Sequence, residues 1–104
     1  MAARAREDGF WLVVRGPVEG PGQRARWHVA FDGSATNEGD YPSLPINVKE
    51  PSFGKLDGAG RLIESASYEA TDGLGSAIVR RSLDGDSEIL NRSKSAFFGL
   101  VTGP

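Results

Sequence analysis

The stretch "RLIESASYEATDGLGSAIVRRSLDGDSEIL", Arg61 to Leu90, decides the fold. It holds two Asp-Gly pairs, Asp72-Gly73 and Asp84-Gly85, set between runs in which apolar and polar residues alternate. Alternation with period two marks a half-buried strand, and Asp-Gly is favoured in two-residue hairpin turns because both central residues need positive φ. Residues 61–71, 74–83 and 86–91 are therefore expected to form a C-terminal three-stranded meander. With the two pairs as turn centres, Leu62 falls opposite Leu83, Ala66 opposite Val79, Val79 opposite Leu90 and Tyr68 opposite Ala77. The same register sets Glu64 opposite Arg81 and Arg81 opposite Glu88, a structural charge ladder of alternating sign. A short helix over residues 61–71 competes through Ala66 and Ala70, but Gly58, Gly60 and the lack of a good cap weaken it.

Working outward, "GFWLVVR" (residues 9–15) and "RARWHVAF" (24–31) read as a second hairpin, joined by "GPVEGPGQ", whose prolines preclude regular ladder pairing. Alternation sorts them into two faces. Phe10, Leu12, Val14, Ala25, Trp27, Val29 and Phe31 are all apolar and are the expected core contribution; Trp11, Val13, Arg15, Arg24, Arg26 and His28 share the other face. Residues 1–8 read as a basic N-terminal arm, and residues 32–60 as a loop-rich, acidic, proline-containing insertion with one edge strand near 44–49. "SAFFGLV" (95–101) is a strand apolar enough to need burial in a sheet or a subunit contact. Residues 1–104 then form a single all-β domain of about six or seven antiparallel strands, a small sandwich or a partly open barrel.

Composition bounds the function. The chain has 104 residues and no cysteine, so thiolate metal sites and disulfides are excluded and the fold stands on packing or association. No apolar run is long enough to span a membrane, and "MAARAREDG" is not a secretory signal, so the expected setting is cytoplasmic or within an assembled particle, without a membrane partner. The formal net charge of −2 disfavours strong non-specific nucleic-acid binding. Charge is unevenly placed: residues 1–31 carry five arginines against three acids, and residues 32–75 carry three bases against eight acids.

Catalytic patterns are weak. Asp32 to Asp40 and Asp84 to Glu88 gather carboxylates, yet neither has the glycine and terminal glutamate of a calcium loop, and no metal site or cofactor is expected. His28 is the sole histidine, and no strained serine elbow accompanies it, so catalytic residues are not assigned. The sharpest signal is the surface pairing Trp11 with Arg15, Arg24, Arg26 and His28, extended by Arg4 and Arg6 of the arm, because Trp and Arg dominate binding hot spots and stack on π systems. The expected function is a non-enzymatic structural or interaction protein, a subunit of a homo-oligomer or larger assembly such as a virion accessory or tail-type subunit. Its expected partner is protein. A small carbohydrate- or single-stranded nucleic-acid-binding module is the alternative, and a small hydrolase using His28 the second.

Overall fold

The computed structural model describes residues 2–15, 22–70 and 73–93. These residues form eight strands and no helix: β1 (Ala2–Arg6), β2 (Gly9–Arg15), β3 (Arg24–Ala30), β4 (Ala35–Asp40), β5 (Val48–Leu56), β6 (Leu62–Ala70), β7 (Gly73–Arg81) and β8 (Ser87–Ser93). They make two antiparallel four-stranded sheets, each a plain meander, in the orders β1-β2-β3-β4 and β5-β6-β7-β8. The sheets pack together as a small sandwich, and the smallest dimension, 19 Å, suits two layers about 10 Å apart plus their outer side chains.

Between the layers lies a core of Ala2, Trp11, Val13, Tyr41, Leu56 and Leu62, with half-buried Leu83 against it. A second cluster, Val48, Ala66, Ala77 and Val79, continues along the C-terminal sheet beneath Leu44, Tyr68 and Ile89. The expected meander is β6-β7-β8, and the expected N-terminal hairpin is β2-β3. Residues 95–101, and Asp72 of the expected Asp72-Gly73 turn, lie outside the described residues.

Three strands depart from the expectations. Residues 1–8, read as an arm, contain β1, whose Ala-Arg alternation pairs Ala2 with Val13 and Arg4 with Trp11. Residues 32–60, read as an insertion, contain β4 and β5. β4, "ATNEGD", has no apolar alternation to announce it and is held as a polar edge by pairing with β3. β5 runs from Val48 to Leu56, beyond the expected 44–49, and tolerates Pro51 because it is an edge strand with a pairing irregularity between Lys49 and Phe53.

The meander register also differs, and the turn chemistry explains it. In the β7-β8 loop the Ser82 N–H donates to Asp86 O (2.8 Å) and the Gly85 N–H to Ser82 O (3.1 Å), with Gly85 at φ 109°. This is a three-residue loop with glycine in its last position, not a two-residue turn centred on Asp84-Gly85. The Asp84 carboxylate stabilises it by accepting from the Asp86 backbone N–H (3.1 Å). The β3-β4 loop is built alike, with Asp32 accepting from Ser34 N–H at 2.8 Å. Changing the loop by one residue exchanges the faces. Arg81 therefore lies opposite Ser87, while Glu88 lies opposite Arg80 and pairs with it on the outer surface. In β6-β7 the partners slip by two, so Leu62 faces Arg81 and Ala66 faces Ala77; a two-residue slip preserves the face.

Candidate functional site

Alternation sorted the N-terminal hairpin into the right two groups, but the structure inverts their destinations, except that Ala25 of the expected core group is fully buried. Trp11 and Val13 point between the sheets, 8% and 2% exposed, whereas Phe10 is 38% and Phe31 78% exposed. The group containing Trp11 is the inner one because the guanidiniums beside it find partners there. Arg6 and Arg26 stack on the Trp11 ring, 4.0 and 4.4 Å from its centroid. Arg26 also donates through Nη1 to Gly60 O (2.8 Å) and through Nε to Glu38 (2.9 Å). A bulge puts Glu38 there, since Arg26 pairs with Gly39 and Trp27 with Asn37, leaving Glu38 as the extra residue. Gly60 O accepts a second bond from the Tyr41 hydroxyl (2.7 Å), and burial pushes that phenol up to about 12. Arg4 ties β1 to β5 by donating to Leu56 O (3.1 Å).

The remaining cations scatter. Arg24 donates to Gln23 O (2.9 Å), and Arg15 is exposed at the end of β2. His28 Nε2 lies 2.9 Å from Asp8 Oδ1, and that hydrogen bond is the main cause holding the exposed Asp8 carboxyl below its ordinary value. The structure thus brings Arg4, Arg6, Trp11 and Arg26 together as a zipper between sheets, with Arg15 outside it. Of the predicted ladder, Glu64 and Arg81 form a buried pair, Nε and Nη2 donating to one carboxylate oxygen at 2.8 and 2.5 Å. Arg81 Nη1 donates further to Gly22 O (2.6 Å) and Pro42 O (3.1 Å), clamping both segments onto the C-terminal sheet. Burial raises the Glu64 carboxyl, and the charge and hydrogen bonds of Arg81 offset part of that rise. Among the described residues no three His, Asp or Glu side chains are grouped to hold a metal ion.

The surface that sequence reasoning assigned to the core is the notable one. Leu12 pairs with Trp27, Phe10 with Val29 and Val29 with Ala35, so these side chains share the outer face of the N-terminal sheet. Leu12, Val14, Trp27, Val29 and Ala35, with Arg15 and Asn37 at the margin, line an open concavity of about 370 Å³. Exposed Phe31 extends the same stripe into the β3-β4 loop. The outer face of the C-terminal sheet is mixed: Lys49 pairs with Glu69 across it and Arg80 with Glu88, and these ion pairs are interspersed with exposed Leu74 and half-buried Ile63 and Ile78. The alternation held the signal for this apolar surface; the assumption that an all-apolar face must be internal concealed it. Comparison of the chain with protein-family models, curated proteins and solved structures finds no match.

Proposed function

We propose that the chain is a non-enzymatic interaction protein, a subunit of an oligomer or larger assembly, and that it associates through the outer face of β1-β2-β3-β4. The observation that carries this reading is the concavity on the outer face of the N-terminal sheet, where Leu12, Val14, Trp27 and Val29 are contiguous across paired strands, whereas on the other outer surface ion pairs interrupt Ile63, Leu74 and Ile78. Contiguous apolar surface on a folded chain marks a contact site, and a tryptophan at its centre supplies a rigid anchor. Trp11, the aromatic on which a sugar or base platform would depend, is covered by its own arginines. A virion accessory or tail-type subunit is one example of this class.

The test is the solvent access of Trp27, taken as the difference in acrylamide quenching between wild type and Trp27→Phe. In dilute solution Trp27 should be readily quenched, unlike Trp11. Protection of Trp27 in a dilute monomer would mean that the face is interior, and the reading would fail.

A further inference from the structure

Resting on that reading, we infer that the occupant of the outer face is a second copy of this chain, related by a two-fold axis that reverses the strands. Two features of the face make it complementary to itself. The first is charge. Glu7, Asp8 and Asp32 stand at its turn end, whereas exposed Arg15 stands at the far end of β2. Reversing the strands lays β2 over the partner's β2 and brings Arg15 toward the acidic β1-β2 turn, whereas a parallel arrangement would oppose like charges. Asp40, at the far end of β4, is carried to the partner's β3-β4 loop, where Asp32 opposes it, so the attraction lies along β2 alone.

The second is shape. Phe31, 78% exposed, protrudes at one end of the stripe, and the concavity around Trp27 opens four residues away, about 13 Å along the strand. Val29 lies midway between them, paired with Phe10. An axis over Val29 seats Phe31 of each copy in the Trp27 concavity of the other, the reciprocal contact that a two-fold interface requires. Four strands at about 4.8 Å spacing and six residues at about 3.3 Å make a face of about 19 by 20 Å, below the size of standard specific interfaces, so the self-association is weak.

Sedimentation velocity on the full chain, from about 5 to about 500 µM, tests this across the range expected of a small interface. The wild type should pass from monomer to dimer, and Phe31→Ser should weaken the dimer at least about tenfold. Because a residue on the axis meets its own mate, Val29→Glu and Val29→Lys should each be monomeric, yet an equimolar mixture should form a heterodimer. Circular dichroism matching the wild type shows that the variants are folded, and Ile78→Glu on the other sheet should dimerise normally. A wild type monomeric throughout overturns the inference. If its Trp27 is then readily quenched, the interaction reading survives with another partner; if Trp27 is protected, both fail. A wild-type dimer whose Glu and Lys variants do not pair when mixed overturns the proposed axis.

Discussion

Neutralising Glu64 should be among the most damaging single changes in this protein, and the neighbouring Glu88 among the mildest. Arg81 is fully buried and Glu64 is 2% exposed, so Glu64→Gln strands a guanidinium where water cannot replace the lost charge. Breaking a buried pair in this way costs about 3–5 kcal/mol, a large share of the roughly 5–15 kcal/mol that holds a domain together. The thermal midpoint should fall by about 12 °C or more. Arg81→Met removes the charge together with its bonds to Gly22 O and Pro42 O, and combining it with Glu64→Gln should recover part of the loss. A double-mutant cycle by urea denaturation should give a Glu64–Arg81 coupling of about 2–3 kcal/mol. The Arg81–Glu88 cycle should give about zero, because the three-residue loop puts those side chains on opposite faces, while exposed Arg80–Glu88 should give about 0.2–1 kcal/mol. Strong coupling of Arg81 to Glu88, with none to Glu64, would refute both the register and the buried clamp.

Alkali should unfold the protein through Tyr41. Its phenol ionises at about 12 in the fold and near 10 when unfolded, so stability is lost as pH rises from 10 to 12, by up to about 3 kcal/mol, and Tyr41→Phe should abolish that dependence in pH-stepped melts. Acid should act through Asp57. Burial alone would raise its carboxyl, but bonds from Arg61 and Ala59 outweigh that and hold it low, so its contribution is complete above the unfolded value and is lost as pH falls through the lowered one. Asp57→Asn should therefore lower the midpoint at pH 7 by about 4–8 °C, and the gap to wild type should close in strong acid. Gly60→Ala should lower the thermal midpoint, since the added carbon would lie 1.8 Å from Arg26 Nη1 and displace that guanidinium from the Gly60 carbonyl, at a backbone φ of +80° that strains alanine; a midpoint matching the wild type would contradict this.

Period-two alternation was enough to find β2, β3 and the C-terminal meander, and it divided the hairpin residues between faces correctly. It could not say which face turns inward. That was settled by groups far apart in sequence, the Gly60 carbonyl and the Arg6 and Arg26 guanidiniums, which make a charged face a satisfactory interior surface for Trp11. Asp-Gly rightly announced turns, but their length depended on an aspartate oxygen capturing the N–H two residues on, as at Asp32 and Asp84, and that residue count moved Glu88 to the outside. β4 was illegible because its stability comes from the edge it covers, while its own side chains bury little.

The meander order of both sheets bears on how the chain acquires its structure. Every strand pairs with its sequence neighbour, and residues 41–47 provide the covalent connection from one sheet to the other. Loop-closure entropy is therefore small for each hairpin, in contrast to the long-range closures that slow interlaced all-β topologies. The two halves can form separately, leaving their mutual closure over Trp11 and the insertion of Arg81 as the late, cooperative events. Synthesis from the N-terminus would then expose a finished first sheet, with both surfaces unoccupied, before the strands of its cover have emerged.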